Sequence, residues 1–596
     1  MTETVFRTPI AEQIWEQKYR MKEFDGTPID LTVQDTWRRI AGALAKAEIP
    51  QDRDHWEDEF YNVLADFKFI PAGRIVAGAG SERDVTLFNC FVMGTIPDNM
   101  GGIFEMLKEA ALTMQQGGGI GYDFSTIRPK GAEVKGVAAD ASGPLTFMDV
   151  WDAMCKTIMS AGSRRGAMMA TMRCDHPDIV EFIDAKADPT RLRHFNVSVL
   201  ITDDFMKAMQ DDTSFDLVFE GKVYKTVMAR WLWDRIMMGT YAHAEPGVIF
   251  IDRINEMNNL NYMETIASTN PCGEQPLPPY GACLLGSINL CALLKDDWSG
   301  IDMGSLSKTV STAVRMLDNV NDVSKFPLPQ QEMEAKAKRR IGLGITGWAS
   351  CLALMGIKYG SAEAVEKTDL ILRAITELAY QTSIELAEEK GPAPAYYPEM
   401  LDSGFMKGMS GLIRYGIAEY GIRNTLLTSI APTGTISLYA GNVSSGIEPI
   451  FAMAYTRKVL EKDGSKREER VEDYAARKWR ERHGDAPYPE SFVTAQTLLP
   501  AEHVTMQAAA QRWIDSSISK TVNLPEDISF TEFKDVYALA YNLGCKGCTT
   551  YRPNAVTGSV LAVDTNDEMT PNETLEDGAC RLEYDENTGQ LIRSCE

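Results

Sequence analysis

Short stretches with the patterns of β-strands alternate with helical patterns along most of this chain. Residues 194–201 alternate partly between apolar and polar side chains, and residues 340–347 form a glycine-spaced strand or turn. Residues 425–430 are typical of a buried strand. A long helical pattern begins after Ser361 and ends before Gly391. Because strands separated by helices favour a mixed core, we predict an α/β fold.

The N-terminal part of the chain has apolar residues at three- and four-residue steps. Behind a candidate helix cap at Thr32, they are Val33, Trp37, Ile40, Ala41 and Leu44. This spacing lines one face of a helix, so we predict a small helical domain over residues 1–75. A large α/β domain follows over residues 76–555. Residues 556–596 are acidic and turn-rich, and we expect them to form a flexible tail.

Length, charge and cysteine content restrict the class of protein. With 596 residues, 44% of them hydrophobic, the chain can bury a large core. Its net charge of −24 argues against nonspecific binding to nucleic acids or to an anionic membrane. No apolar run reaches about 18 residues, and the first residues lack the layout of a signal peptide, so we expect a soluble, cytoplasmic protein. We expect its 11 cysteines to be reduced, redox-active or metal-bound.

Residues 270–274 carry an amide, a thiol and a carboxylate on alternate positions, Asn270, Cys272 and Glu274. In an extended backbone these side chains share one face, so they can converge on one small ligand. A carboxylate near the thiol raises its pKa, which disfavours an ordinary thiolate nucleophile. Hydrogen-atom chemistry does not require a thiolate. The alternative is a structural turn before Pro271 with a packed cysteine.

Several other motifs are candidate ligand contacts. Residues 117–121 form a glycine cluster that permits close approach of a ligand, although a helix-ending turn is the commoner explanation. Residues 431–437 place hydroxyl and backbone N–H groups after a predicted strand, which suits a diphosphate; a Ser/Thr-rich turn is the alternative. Residues 127–131 and 160–166 contain arginines in loops that suit phosphates, although solvated loops are commoner.

The pentad NPCGE and the later segment ACLLGSINL, residues 282–290, resemble the active-site region of ribonucleotide reductases. The similarity is to their class II form, which depends on adenosylcobalamin, and it runs from near residue 10 to about residue 555. The other segments that carry it are 117–121, 128–131, 162–166 and 431–437. The resemblance implies a ten-stranded α/β barrel with the thiol on a central finger loop, preceded by a small helical domain. Residues 76–555 would then be the catalytic barrel.

The resemblance also implies a radical reaction. Adenosylcobalamin would supply a 5′-deoxyadenosyl radical, and Cys272 would become a thiyl radical that takes the 3′-hydrogen of a ribonucleotide. Glu274 would accept the 3′-hydroxyl proton, and Asn270 would hold the ribose hydroxyl groups. Cys90 and Cys283 would supply two electrons and form a disulfide as the 2′-hydroxyl group leaves as water.

The same resemblance assigns ligand-binding residues. Those expected to contact the substrate are Asn89, Gly119, Pro432, Thr433, Gly434, Thr435 and Ser437. Those expected to bind a deoxynucleotide effector are Asp98, Arg128, Lys135, Arg164 and Arg165. The implied partners are the ribonucleotide, the effector, a thioredoxin-like reductant and a second copy of the chain in a homodimer.

Two cysteines in the predicted tail suit a thiol relay. Cys580 and Cys595 lie on a segment able to reach the barrel, where they would reduce the active-site disulfide by thiol exchange. Their pairing stays open, since they are far apart in sequence. Joining them with Cys545 and Cys548 in a zinc site is disfavoured by the uneven spacing and the lack of histidine, so we predict no metal-ion site.

Two alternatives differ in class from this assignment. The large subunit of a class I ribonucleotide reductase receives its radical from a partner protein through two adjacent tyrosines, whereas the corresponding position here has Tyr551 alone. An inactive nucleotide-binding regulator would keep the fold without the chemistry, but the presence of all the catalytic residue types argues against it. The sequence shows no Asp-x-His-x-x-Gly cobalamin motif, which is compatible with class II, and does not decide between diphosphate and triphosphate substrates.

Overall fold

A computed structural model describes residues 5–134, 139–158, 167–460 and 466–553, together with the short strands Ala562–Val563, Cys580–Asp585 and Gln590–Cys595. Within this part of the chain, no helix is long and apolar enough to cross a membrane.

The N-terminal part is helical, as predicted. Its α-helices are Pro9–Ile14, Val33–Ala45, Arg53–Leu64 and Gly73–Gly78, with a π-helical turn at Trp15–Tyr19. Thr32 caps the second of them: its hydroxyl accepts a hydrogen bond from the Asp35 N–H at 3.3 Å, and the Asp35 carboxylate accepts one from the Thr32 N–H at 2.7 Å. Because Trp37, Ile40 and Leu44 are buried, the predicted cap and apolar face are both confirmed.

Five parallel strands form the first half of a barrel. In spatial order they are Cys90–Val92, Gly119–Asp123, Met168–Arg173, Phe195–Ile201 and Gly247–Phe250. The strand predicted at residues 194–201 is thereby confirmed. Most residues of these strands are buried, as expected for parallel strands that are covered on both faces.

A second set of five parallel segments forms the other half. In spatial order they are Ala282–Cys283 with Leu285–Asn289, Gly342–Thr346, residues 428–430, residues 518–523 and Gly547–Tyr551. The segment predicted as a buried strand at residues 425–430 pairs only through single bridges, from Thr428 to Leu343 and from Ile430 to Ile518.

Two antiparallel seams join the halves into a closed ring. Cys283 lies opposite Cys90 at one seam, and Val248 lies opposite Cys548 at the other. Since each half contributes five segments, the ring has ten strands. The predicted ten-stranded α/β barrel is confirmed.

Helices connect the strands and cover the barrel. They are Met100–Gln115, Pro144–Thr157, Ile179–Asp184, Asp203–Gln210, Ala229–His243, Ile251–Met257, Met303–Val323, Pro329–Lys338, Trp348–Leu354, Ala362–Lys390, Gly404–Gly408, Gly411–Tyr420, Gly434–Tyr439, Tyr474–His483, Pro500–Gln511 and Phe530–Asn542. The predicted long helix is confirmed, with the Ser361 hydroxyl accepting from the Ala364 N–H at 3.1 Å and with Gly391 ending it at φ +84°.

Antiparallel hairpins lie outside the ring. Their strand pairs are Ser214–Phe219 with Lys222–Met228, Ala454–Leu460 with Lys466–Glu472, and Glu133–Val134 with Ala139–Asp140. The strand Phe69–Pro71 pairs antiparallel with residues 286–288 and so attaches the helical domain to the barrel.

Candidate active site

The pentad at residues 270–274 forms the tip of a hairpin, which is the predicted finger loop. Its strands, Ser268–Thr269 and Pro276–Leu277, pair antiparallel. Within the tip, the Gly273 N–H donates to the Asn270 carbonyl at 3.1 Å, and Gly273 has φ +80°, a conformation that favours glycine. The first hairpin strand packs against Gly119–Asp123 in the barrel wall.

Both halves of the barrel hold this tip in place. From the first half, the Asn196 side-chain amide donates to the Pro271 carbonyl at 2.7 Å. From the second half, the Ser429 hydroxyl at 2.8 Å and the Ser517 N–H at 3.1 Å both donate to the Glu274 carbonyl. The backbone on either side of Cys272 is therefore fixed by hydrogen bonds to both half-barrels.

Three thiols meet at this tip. Cys90 and Cys283 lie directly opposite each other across the antiparallel seam, and both are buried, whereas Cys272 is exposed. Burial is the main reason why the pKa of Cys283 is well above its ordinary value, and Cys90, Glu274 and Cys272 raise that pKa further in this order. The structure thus places these four predicted residues in one electrostatic neighbourhood, with Cys283 held as a neutral thiol.

Gly119 provides space for this group of thiols. A Cβ atom at this position would lie 2.9 Å from the Cys90 sulfur atom and 3.2 Å from the Pro271 ring. Real Cβ atoms do not approach a heavy atom so closely without displacing it. A glycine is therefore required where this strand passes between Cys90 and the finger loop.

Two amide side chains near the thiols have polar atoms that lack a partner. The Asn270 side-chain oxygen accepts from the Gln275 N–H at 3.0 Å, but within the described residues its Nδ2 atom has no hydrogen-bond partner, nor does Oδ1 of Asn89. Buried polar atoms are normally hydrogen-bonded, so these two atoms fit contacts to a polar ligand. The Glu274 carboxylate is also buried, with 2% of its surface exposed.

A cleft of about 920 Å³ opens above the finger loop. The predicted site residues that line it are Asn89, Cys90, Asn270, Cys272, Glu274, Pro432, Thr433, Gly434 and Thr435. Other walls come from residues 16–22 of the helical domain and from Arg74. The cleft therefore lies between the helical domain and the barrel, with Cys272 exposed at its base.

Residues 432–437, here called the 432–437 turn, form one side of the cleft. Thr433 has φ +54°, and the short helix Gly434–Tyr439 follows it. The Thr433 hydroxyl accepts from the Gly446 N–H at 2.8 Å. The Ser437 hydroxyl is 3.0 Å from that of Thr433 and 2.7 Å from that of Thr346. Ser437 is thus buried behind the turn and outside the cleft lining, so its direct contact with substrate stays a prediction.

Of the predicted effector residues, the structure brings Asp98 and Arg128 together. The Asp98 carboxylate accepts from the Arg128 Nε at 2.8 Å and from the Arg128 backbone N–H at 3.1 Å. The other three, Lys135, Arg164 and Arg165, lie outside the described residues. The backbone register of the C-terminal strands places Cys580 opposite Cys595.

The fold and the site together define a barrel enzyme with three thiols around one cleft. Residues 88–551 match the family described as "Ribonucleotide reductase, barrel domain", and residues 5–84 match "Ribonucleotide reductase, all-alpha domain". The chain therefore belongs to the ribonucleotide reductase family. The predicted boundaries at residues 75 and 556 stay predictions, since the helix Gly73–Gly78 crosses the first of them.

Relatives of the chain carry two kinds of name. The vitamin B12-dependent ribonucleoside-diphosphate reductase of Mycobacterium tuberculosis is 36% identical over 93% of this chain and 80% of that protein. The protein of the same name from Thermoplasma acidophilum is 39% identical over 87% of this chain and 68% of that protein. The ribonucleoside-diphosphate reductase subunit alpha of Chlamydia muridarum is 30% identical over 73% of this chain and 47% of that protein.

Sequence reasoning missed the residues that position the finger loop. Asn196 lies within the predicted strand at residues 194–201, and Ser429 lies within the segment predicted at 425–430. The available signal was a polar side chain within a predicted strand, because most side-chain hydrogen bonds go to backbone groups or to water. The identity of the backbone partner could not be inferred, because it lies on a hairpin distant in sequence.

Proposed function

We propose that this protein reduces ribonucleoside diphosphates to 2′-deoxyribonucleoside diphosphates, with adenosylcobalamin as the source of the radical. The observation that carries the proposal is the register of two buried thiols, Cys90 and Cys283, beside an exposed third thiol, Cys272, at the base of one cleft. The diphosphate is favoured because the B12-dependent relatives from M. tuberculosis and T. acidophilum are named for that substrate.

Each residue of the finger loop has a separate task. The sulfur atom of Cys272, as a thiyl radical, takes the hydrogen atom from the 3′-carbon of the ribose. The Glu274 carboxylate accepts the 3′-hydroxyl proton, and its burial keeps water from competing for that contact. The Nδ2 atom of Asn270, which has no partner in the described part of the chain, donates to a ribose hydroxyl group.

The thiol pair supplies the reducing equivalents. Cys90 and Cys283 each give up one hydrogen atom, a sulfur–sulfur bond forms, and the carbon–oxygen bond at the 2′-position breaks to release water. The raised pKa of Cys283 suits this role, because a protonated thiol can deliver both a proton and an electron. The hydrogen atom held by Cys272 then returns to the 3′-carbon.

The 432–437 turn and two residues near Cys90 bind the rest of the substrate. Pro432, Thr433, Gly434 and Thr435 line the cleft, and the backbone N–H groups of the last three with the Thr435 hydroxyl suit a diphosphate without a lysine. Asn89 contributes a side-chain oxygen that has no partner among the described residues, and Gly119 keeps the Cys90 sulfur atom and the finger loop close together.

The residues around the cleft fit an organic radical donor. Cys272 is exposed while the two polar side chains beside it are buried, so the sulfur atom can be reached from the open side of the cleft. Residues 16–22 of the helical domain would hold the cofactor there. Adenosylcobalamin, when bound, supplies the radical that starts the reaction.

A partner-dependent class I large subunit is the less favoured function. Its radical path requires two adjacent tyrosines, and Tyr551 stands alone at the corresponding position. An inactive regulator is less favoured still, because a protein that only binds nucleotides has no need for three thiols that meet at one hairpin.

We further propose a deoxynucleotide effector at the Asp98–Arg128 pair, with Lys135, Arg164 and Arg165 completing that site. The Asp98 carboxylate accepts hydrogen bonds from both the side chain and the backbone N–H of Arg128. The arginine is therefore preorganised beside the segment that follows the strand Cys90–Val92.

A homodimer is the proposed assembly. Met100, Phe104 and Leu112 on one helix are exposed by 61%, 48% and 41%, and Val150 on the neighbouring helix Pro144–Thr157 is exposed by 36%. An apolar surface of this kind, on two packed helices next to the effector pair, suits a second copy of the chain.

The C-terminal cysteines are proposed to reset the active site. Because Cys580 and Cys595 lie in register across a hairpin, they suit a dithiol that reduces the Cys90–Cys283 disulfide and is itself reduced by a thioredoxin-like protein. The nine cysteines whose side chains are described are all thiols, which favours a reducing, cytoplasmic compartment.

The test of this function is turnover without a second protein. The purified protein, supplied with adenosylcobalamin, cytidine diphosphate and dithiothreitol, should form deoxycytidine diphosphate. Product formation only after addition of a metal-containing partner protein would instead identify a class I subunit. A parallel assay with cytidine triphosphate decides the phosphate number.

Replacement of the central thiol should separate binding from chemistry. Cys272→Ser is expected to bind cytidine diphosphate like the wild type but to form no product, because a hydroxyl group does not replace the thiol in hydrogen-atom transfer. The matched control is Cys155→Ala, which removes a buried thiol from the helix Pro144–Thr157. Multiple turnover by Cys272→Ser would contradict the assignment.

A further inference from the structure

Two cysteines outside the proposed reaction lie next to each other in the barrel. The sulfur atoms of Cys291 and Cys351 are 3.7 Å apart. Both residues are buried, with 4% and 0% of their surfaces exposed, and both are thiols. A disulfide bond is about 2.0 Å long, so the two sulfur atoms need to approach by less than about 2 Å to form one.

The two cysteines follow adjacent barrel strands. Cys291 lies in the short helix Leu290–Leu293, directly after the strand Leu285–Asn289, and Cys351 lies in the helix Trp348–Leu354, directly after Gly342–Thr346. These two strands pair in parallel. A bond between the cysteines would therefore tie together the carboxyl ends of two neighbouring strands.

Hydrogen bonds connect this pair to the 432–437 turn. The Cys291 thiol donates to the Gly347 carbonyl at 3.2 Å, and the Gly347 N–H donates to the Ser444 carbonyl at 2.7 Å. The Thr346 hydroxyl donates to the same Ser444 carbonyl at 2.8 Å and is 2.7 Å from the Ser437 hydroxyl behind the turn. Cys291 contacts Gly347, and Gly347 is next in sequence to Thr346, whose hydroxyl group supports the turn. A change at Cys291 can therefore reach the turn through these two adjacent residues.

Gly347 lies directly against the Cys291 sulfur atom. It has φ +81°, and a Cβ atom at this position would lie 2.8 Å from the Cys291 sulfur atom. The sulfur atom therefore packs directly on the Gly347 backbone. Movement of that sulfur atom toward Cys351 removes both this contact and the hydrogen bond to the carbonyl.

We propose that Cys291 and Cys351 form a second redox site, in which oxidation to a disulfide displaces Gly347 and weakens binding of nucleoside diphosphates at the 432–437 turn. The oxidant is a two-electron acceptor such as hydrogen peroxide. Each thiol loses one hydrogen atom, the sulfur–sulfur bond forms, and the peroxide oxygen–oxygen bond breaks to give two molecules of water. The effect on binding rests on the proposed function of the turn, whereas the disulfide itself does not.

The surroundings of the pair make this oxidation slow. Burial raises the pKa of Cys291 well above its ordinary value, and Cys351 and the carboxylate of Asp473 raise it further. Tyr474, whose pKa is raised mainly by burial and further by these two thiols, also lies close to them. Because thiolates react and thiols do not, the pair should respond to sustained oxidant and not to brief exposure.

Peptide mapping tests the disulfide without any assay of activity. The full-length protein is treated with hydrogen peroxide, digested without reductant and analysed by mass spectrometry. A peptide that links Cys291 to Cys351 should appear in the wild type, disappear on addition of dithiothreitol and be absent from Cys351→Ser. If the Cys90–Cys283 link forms fully in the same sample and the Cys291–Cys351 link does not, the second redox site is refuted.

Nucleotide binding tests the effect on the turn. After peroxide treatment, the wild type should bind cytidine diphosphate several-fold more weakly than oxidised Cys351→Ser, which keeps every other thiol; calorimetry measures both. The reduced forms of the two proteins should bind equally, which shows that the variant is folded. Equal weakening in both oxidised proteins would refute the connection to the turn. Failure of the reduced proteins to bind any nucleoside diphosphate would instead contradict the proposed function.

Discussion

Single residues determine which sulfur atom in this cleft suits which step of the proposed reaction. Cys272 is exposed and can meet a radical donor, whereas Cys283 is completely buried and has a raised pKa that keeps it protonated. The difference arises from their backbones, since one residue is at a hairpin tip and the other is within a paired strand. Three identical functional groups thereby acquire two different roles.

The side chain that holds the hairpin tip is Asn196. We expect Asn196→Ala to lower kcat by roughly tenfold to a hundredfold, because loss of the 2.7 Å hydrogen bond to the Pro271 carbonyl lets the neighbouring Cys272 sulfur atom move relative to the ribose. Product formation at saturating cytidine diphosphate measures this, together with the thermal midpoint of unfolding. Asn542→Ala, at an exposed position at the end of an outer helix, is the matched control.

A merely structural role for Asn196 predicts a different result. In that case kcat would fall only in proportion to the fraction of unfolded protein, and Asn196→Ala would show normal kcat at low temperature. That outcome would remove Asn196 from the set of positioning residues.

At the scale of elements, local hydrogen bonds define where helices begin, while packing keeps them in place. The helix Val33–Ala45 begins at a capping box and buries one apolar face. The helix Ala362–Lys390 begins and ends at the residues that the sequence indicated, Ser361 and Gly391. Both starts are local features, because a capping hydroxyl contacts a backbone N–H only three residues further along the chain.

Loss of the first cap should cost measurable stability. Thr32→Ala is expected to lower the free energy of unfolding by about 1 kcal/mol, because the Asp35 N–H loses its acceptor. Thr32→Ser keeps the hydroxyl group and should retain most of the stability. Urea unfolding of the three proteins measures the difference, and equal stability of the alanine and serine variants would show that the cap contributes nothing.

A buried histidine on another helix should make stability depend on pH. Burial and, to a smaller extent, the positive charge of Lys520, whose Nζ atom is 3.1 Å from Nδ1, together lower the pKa of His503 from 6.5 to about 3. Since the folded-state pKa is the lower one, the unfolded chain binds the proton first as the pH falls. The stability that neutral His503 permits is therefore present above pH 6.5 and is lost progressively toward about pH 3.

Substitution of this histidine isolates its contribution. Between about pH 7.5 and pH 5.5, the wild type should lose about 1 kcal/mol more stability than His503→Gln, as one extra proton is taken up on unfolding. Urea unfolding at both pH values gives the comparison. Parallel pH profiles for the two proteins would mean that the pKa of His503 is the same in the folded and the unfolded chain.

At the scale of the whole molecule, the barrel is closed by contacts that no local pattern specifies. The strand at residues 195–201 and the long helix were predictable, because periodicity and capping residues are local. The seams at Cys90–Cys283 and Val248–Cys548 were not predictable from periodicity, since each joins segments far apart in sequence. The resemblance to ribonucleotide reductases predicted the closed barrel, and it also predicted that Cys90 and Cys283 would meet.

The exposed apolar surface next to the Asp98–Arg128 pair is expected to set the oligomeric state. Phe104→Arg is expected to shift a homodimer toward monomer, because a charge would be buried at the centre of the proposed interface. Sedimentation velocity over a range of protein concentrations measures the shift. Leu412→Arg, at a position exposed by 74% on the helix Gly411–Tyr420, is the control. A wild type that is monomeric at every concentration, or an unchanged dimer in Phe104→Arg, would contradict this interface.

The antiparallel seam at Cys90 has a mechanical consequence for the proposed catalytic cycle. A disulfide between Cys90 and Cys283 is a covalent bond between the two half-barrels, and it closes a loop of nearly two hundred residues. Cross-links over loops of this length raise the free energy of the unfolded chain by about 5 kcal/mol, because they reduce its conformational entropy. Each turnover would thus stabilise the closed barrel through this disulfide, and each reduction of the disulfide would remove that stabilisation. The thermal midpoint of unfolding would therefore report whether the enzyme is in the oxidised or the reduced half of the cycle.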